Sequence, residues 1–217
     1  MKIVEPNHEI VSPNPFKSGV MLWNIEQAGR TCYKSEDKAT ADSAEKFVRM
    51  IIQRGHESVL EHESISVRFI VDRGVSHELV RHRLCAFSQE STRYCAYDGD
   101  RFGGEVTFIR PPFWRWTEDP LHKSDVQLVW EKVMGRCENA YLELLDQGAK
   151  PEEARSVLPN SLKTEIVVTA NLREWRHILK LRTSKKAHPQ MRQVMLPLLA
   201  ELRDKLPAVF EDIEVAE

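Results

Sequence analysis

The chain has 217 residues, 41% of them hydrophobic and 29% charged, a length and balance suited to one domain that buries a core of its own. Its 31 Lys and Arg stand against 33 Asp and Glu, and the formal charge of -2 leaves no electrostatic footprint for tracking nucleic-acid phosphates. There is no apolar run near the ~20 residues that cross a bilayer, and Pro6, Pro13 and Pro15 fall where a signal peptide would need an apolar stretch. A cytoplasmic location is expected, without membrane or nucleic-acid partners.

Residues 2–4 read as a short strand, and the Pro- and Asn-rich stretch to Pro15 as irregular chain. A helix is expected over 20–29. Asp42 with Glu45 three residues later has the form of a capping box, opening a helix at about 43–54 whose buried stripe is Phe47, Val48, Ile51 and Ile52. Residues 64–72 alternate, with Ile65, Val67, Phe69 and Val71 on one face, and make the clearest strand.

Residues 75–85 have helix-compatible composition, and 105–110 form a second plausible strand before Pro111 and Pro112 stop it. From Asp125 to Leu145, Val126, Val129, Val133, Cys137, Tyr141 and Leu144 recur at three or four residues, which predicts a long amphipathic helix ended by Gly148. Pro151 suits the first turn of another helix. Further helices are expected over 172–182 and along Met191, Val194, Leu198, Leu202 and Leu206, where Pro197 could introduce a kink. The fold class is therefore α+β: one domain over 1–217, with a small, mainly antiparallel sheet flanked by several long helices.

The densest polar cluster is Arg81-His82-Arg83 followed by Ser88 to Tyr94. On a helix, successive residues point about 100° apart, so Arg81 and Arg83 would address two ligands or two subunits rather than one small ligand. Guanidinium forks suit phosphates. For an arbitrary R-H-R triplet a solvated basic helix is the commoner explanation, because exposed charge needs no other.

Seven residues separate Arg83 from Ser91, and the run R-H-R, seven residues, Ser resembles the signature of the flavin-dependent thymidylate synthases, as does Gln89-Glu90-Ser91-Thr92-Arg93-Tyr94. Other segments fall in order around it. Gly55-His56-Glu57-Ser58 to Glu61-His62 resembles that family's flavin and folate segment, and Arg30-Thr31-Cys32-Tyr33 an early one. Ala154-Arg155 to Pro159 resembles a nucleotide-contacting segment, and Asn171-Leu172-Arg173, His177 and Arg182 a downstream series, together spanning about 28 to 192. Helical spacing puts Arg173, His177 and Arg182 near one face.

The resemblance implies reductive methylation of dUMP to dTMP, with FAD tightly bound and with NADPH and 5,10-methylenetetrahydrofolate as co-substrates. It implies a homotetramer with active sites at subunit interfaces. FAD contacts are carried onto Ser58, Arg81, His82, Arg83, Gln89, Asn171, Leu172, Arg173 and His177, with His56 and Glu61 as secondary flavin or folate candidates. dUMP contacts fall on Glu78, Leu79, Val80, Arg81, Gln89, Glu90, Ser91, Thr92, Arg93, Arg155 and Arg182. Arg182 is the implied activator, favouring loss of the uracil N3 proton and pushing electron density toward C5. Glu78 stands where Gln is frequent, Cys32 where Ser is frequent and His177 where Asn also occurs.

Competing readings attach to several of these residues. His56-Glu57 and Glu61-His62 invite a metal, but the H-E-x-x-H spacing is absent, and no metal is expected. Ser91 invites a nucleophile, yet no base-orienter pair is visible beside it, which favours hydrogen bonding to the nucleotide. The four cysteines contain no C-x-x-C pair and read as reduced thiols; Cys85 and Cys95, which flank the motif, suit packing. Two rival functions are an RNA-binding module over Arg81–Arg101 with Trp114 and Trp116 as stacking platforms, and a flavin reductase that has lost methylation.

Overall fold

The computed structural model describes residues 1–99 and 103–215, so Arg101, the end of the basic stretch, lies outside the described residues. In chain order the elements are β1 (Lys2–Val4), β2 (Asn7–Ser12), α1 (Ser18–Tyr33), α2 (Ser43–Gln53), β3 (Ser64–Asp72), α3 (Arg73–Leu79), β4 (Ala86–Gln89) and β5 (Thr107–Ile109). They continue with α4 (Asp125–Asp146), α5 (Pro151–Ala154), β6 (Lys163–Asn171), α6 (Leu172–Arg182), α7 (Pro189–Lys205) and α8 (Pro207–Phe210). The class is α+β, as expected. Among the described residues no helix is long and apolar enough to cross a membrane.

Four strands form one sheet in the order β2-β3-β6-β4, and β1 pairs separately and in parallel with β5, Lys2 opposite Thr107. Contacts between β3 and β6 fix their direction. Leu172 N–H donates to Glu63 O at 2.9 Å, the Ser66 and Thr169 hydroxyls meet at 2.7 Å, and Arg73 N–H donates to Leu162 O at 3.1 Å. One strand's numbers rise as the other's fall, so the pair is antiparallel. Alternation in β3 buries Ile65, Val67, Phe69 and Val71, and in β6 it buries Thr164, Ile166, Val168 and Ala170.

Two compact units divide the chain. The first comprises Met1–Asn7, Ile70–Arg81 and Ser88–Ile166, and the second His8–Phe69, His82–Phe87 and Val167–Glu217.

The first unit has a core of Tyr97, Val106, Phe108, Met134, Tyr141, Ala154 and Leu162. Helix α4 starts where the Ser124 hydroxyl accepts from Gln127 N–H. Its buried face differs from the expected stripe: Gln127, Met134, Glu138 and Tyr141 face inward, while Val126, Val129 and Val133 are exposed at 55%, 63% and 43%. The inward polar groups have partners. Gln127 exchanges two hydrogen bonds with the Thr117 backbone, and Glu138 takes the Met1 amine and Val106 N–H. Paired in this way, they are buried at little cost.

The second unit packs α1 on α2, α6 on α7 and α7 on α8, around Ile25, Val48, Trp175, Leu198 and Phe210. Arg176, 1% exposed, is offset by Asp212 and Glu57 and also donates to Val209 O. Helix α2 spans nearly the expected range, but the Asp42 side chain makes no cap bond; the Ser43 hydroxyl accepts from Thr40 N–H instead and donates to buried Glu26. α7 continues past Pro197. β2 replaces part of the expected irregular stretch, with His8, Ile10 and Val11 half-buried and Asn7, Glu9 and Ser12 exposed.

Candidate functional site

The R-H-R segment is not helical. α3 ends at Leu79, and residues 80–85 form turns leading into β4, so the two-faced helix expected of Arg81 and Arg83 is replaced by a turn. Arg81 and Arg83 are exposed, but His82 is buried at 6% exposure.

Within the second unit, His82 Nε2 lies 2.9 Å from Arg182 Nε, and its Nδ1 lies 3.7 Å from a Glu174 carboxylate oxygen. The His177 ring meets it edge-on at 6.1 Å. Burial lowers the His82 pKa to about 4, assisted by the positive Arg182 and by His177. The imidazole is therefore neutral at pH 7. A guanidinium N–H needs an acceptor, so Nε2 carries the lone pair and Nδ1 the proton, turned toward Glu174. Donor atoms of His82, Glu174 and His177 lie within 4.8 Å of one another, a metal-compatible spacing that no H-E-x-x-H pattern signals. The Nε2 lone pair is engaged by Arg182, whose positive charge opposes a metal cation there.

All of these groups except His82 stand on α6, for reasons local to that helix. Asn171 caps it, its Oδ1 accepting from Glu174 N–H at 2.8 Å. Leu172, Trp175, Ile178 and Leu179 point into the core, and Trp175 donates to Ile65 O at 2.9 Å. The opposite side presents Arg173, His177 and Lys180 to a cleft of about 620 Å³, also lined by Leu84, Asn171 and Glu61. Arg173 pairs with Glu61 at 2.6 Å. Leu172 is fully buried and its N–H is committed to Glu63 O, so it offers the cleft no side chain. Ser58, His56, Cys32 and Arg173 line a second cavity of about 310 Å³.

A different group stands in the first unit. A cleft of about 240 Å³ is lined by Arg73, His77, Thr92, Arg155, Ser156 and Asn160 together with apolar side chains. Arg155 donates to the Thr92 hydroxyl at 3.3 Å, and Arg73 donates to Glu90 O at 3.3 Å and to the Thr164 hydroxyl at 3.2 Å. Two guanidinium groups, an imidazole and hydroxyls suit a phosphate. Arg73 and His77 were not among the sequence candidates. Only their place on the helix after β3, Arg73 as its first residue and His77 in its last turn, hinted at them.

The neighbouring candidates are tied into this framework. Gln89 donates to the Ser76 and Thr164 hydroxyls, and the Glu90 carboxylate accepts from Tyr97 and Lys163. Ser91 Oγ accepts from Arg93 N–H, while the Arg93 guanidinium pairs with Glu152 at 3.2 Å. Leu79 is buried; Glu78 is half-buried and Val80 exposed. In the second unit, burial and the Glu174 charge push the Cys85 thiol up to about 12, which keeps it protonated.

Residues 22–208 match the family model described as thymidylate synthase complementing protein. A flavin-dependent thymidylate synthase of Geobacter sulfurreducens is 36% identical over 195 residues, covering 87% of this chain and 80% of that protein. One of Mycobacterium avium is 35% identical over 206 residues, covering 88% and 79%. Among solved structures, the UMP/dUMP methylase PolB of Streptomyces cacaoi bound with 5-Br dUMP superposes with a TM-score of 0.75 at 25% identity, covering 97% of this chain and 96% of that one.

Proposed function

The chain belongs to the flavin-dependent thymidylate synthase family, and from that premise we propose that it methylates dUMP to dTMP with FAD, NADPH and 5,10-methylenetetrahydrofolate. The observation that carries this reading is α6, which presents Arg173 and His177 to a large cleft and ends on an Arg182 held by a neutral histidine.

The donor set fits FAD. A diphosphate suits the cleft along α6, where the guanidinium of Arg173 and the ammonium of Lys180 line one side of the helix. His177, Asn171 and the backbone beside Leu172 suit the polar edge of a ring, with Ser58, His56 and Glu61 on the adjoining wall. The exposed Arg81 and Arg83 complete the set in a homotetramer whose protomers share their sites, while His82, turned to Arg182 and Glu174, and Gln89, tied to the Ser76 and Thr164 hydroxyls, support the site through those partners. When bound, FAD supplies the one-carbon relay and the hydride that no side chain provides.

The chain's own groups bind, orient and polarise. Arg155, Arg73 and Thr92 neutralise the nucleotide phosphate, with Arg93 and Ser91 near them and Glu78, Leu79, Val80 and Glu90 bounding the nucleotide. The Arg182 guanidinium stabilises negative charge as uracil N3 loses its proton, which raises electron density at C5. His82 stays neutral beside it and so adds no competing positive charge. No step needs a thiolate, in keeping with a protonated Cys85, and none needs a metal. The reaction is assigned to the cytoplasm.

The test is optical. Purified protein reconstituted with FAD should show an oxidised-flavin absorbance that NADPH bleaches anaerobically. A colourless protein that FAD cannot tint would oppose the reading. Salt-sensitive RNA binding by such a protein would favour the RNA-binding module.

A further inference from the structure

The second unit carries a groove that the flavin and nucleotide assignments leave unused. It has a volume of about 510 Å³ and lies along α2, the end of α1 and the turn Glu36–Lys38. Its floor is apolar, made by Phe47, Met50 and Ile51, and its rim carries Lys38, Lys46 and Arg54. Arg30 also reaches the groove, but buried Glu26 neutralises it at 2.6 Å.

The three rim cations are different. Among the described residues none of them is paired with a carboxylate, whereas Arg49 on the same helix contacts both Glu45 and Glu211. Lys46 on α2 and Arg54, the residue that caps its end, stand eight residues apart, about 12 Å along the helix axis, so they address two points of an extended ligand rather than one small ion. In a chain of net charge -2, three uncompensated cations over an apolar floor form a local attractor for an anion with a planar or aliphatic part.

Continuity says what kind of ligand this is. Tyr33, Phe47, Ile51 and His56 line both this groove and the 310 Å³ cavity that holds Ser58 and Arg173. A molecule lying in the groove therefore reaches the cavity assigned above to the flavin side. We propose that the groove holds the extended polyanionic tail of a co-substrate whose reactive ring enters that cavity. The inference rests on the function proposed above. Two sources carry such a tail: the γ-linked glutamates of a folate and the ribose phosphates of a reduced nicotinamide dinucleotide.

The full chain and a K38A/K46A/R54A variant are titrated at low salt with tri-γ-glutamate and with adenosine 2′,5′-bisphosphate by calorimetry. At least one probe should bind the parent, weaken as salt rises and lose tenfold or more in the variant. Steady-state kinetics then separate the sources. If the folate tail is the ligand, KM for a triglutamyl folate rises tenfold and KM for the monoglutamyl form hardly moves. If the dinucleotide is, KM for NADPH rises tenfold and KM for NADH, which lacks the 2′-phosphate, rises less. In either case flavin content, KM for dUMP and kcat at saturation should stay within about twofold. Equal binding of both probes to parent and variant, or binding to neither, with unchanged KM values, overturns the proposal. A protein that takes no flavin and makes no dTMP contradicts the proposed function instead, and the probe titrations still read the groove.

Discussion

The two polar centres solve opposite problems. The cleft of the first unit is lined by the Arg73 and Arg155 guanidinium groups, braced by hydroxyls and a backbone carbonyl. The α6 centre buries an imidazole, strips it of charge and uses its lone pair to hold one guanidinium. The first arrangement suits binding an anion that arrives from water. The second suits polarising a base, because Arg182 is held by an acceptor that brings no charge of its own.

Removing Arg182 should break that contrast most severely. Arg182→Ala is expected to lower kcat by about 100-fold or more, leaving flavin spectrum and assembly largely intact; dTMP formation near the parent rate would refute the activator role. His82 should come next. His82→Ala removes the acceptor for Arg182 Nε, whereas the His82→Gln amide oxygen can still accept, so kcat should fall about tenfold in the first and recover much of that in the second. Equal losses in the two would show that His82 acts by packing alone.

The same residue has a pH signature. Its folded pKa of about 4 lies below the ordinary value of 6.5, so between those values the unfolded chain binds more protons than the native one. Stability should therefore rise as pH increases from about 4 to 6.5 and lose this dependence above it, by up to ~3 kcal/mol. Urea midpoints of parent and His82→Gln at pH 4.5 and 7.5 check the sign, and an unchanged pH difference in the variant would contradict it.

Smaller effects belong to the first unit. Arg155→Ala should raise KM for the nucleotide roughly tenfold or more with less change in kcat, as expected of a binding cation; a loss confined to kcat would move Arg155 into the chemistry. Thr92→Val removes one neutral partner of that guanidinium and should cost about 1 kcal/mol of nucleotide binding, a few-fold in Kd by calorimetry.

Legibility followed the range of the interactions. β3 and α6 were readable to the residue because their periods are local and their buried faces carry the pattern. Of the three α6 residues expected near one face, Arg173 and His177 do line one cleft, but Arg182 does not: nine residues after Arg173, it points about half a turn round the helix, toward His82. The turn at residues 80–85 was not: its composition tolerates a helix, and what holds His82 there is Glu174 and Arg182, about a hundred residues away. On α4 the valines looked like a core stripe, but Gln127 and Glu138 take the inside through distant partners at Thr117, Val106 and Met1. Arg73 and His77 stayed hidden because Thr92 and Arg155, which reveal their purpose, lie elsewhere in the chain.

The most direct measurement is tritium release from [5-³H]dUMP by FAD-loaded protein given NADPH and 5,10-methylenetetrahydrofolate, with dTMP followed in parallel. The account predicts release that matches dTMP formation, needs both co-substrates and largely disappears in Arg182→Ala. NADPH oxidation with neither tritium release nor dTMP would identify a flavin reductase and contradict it.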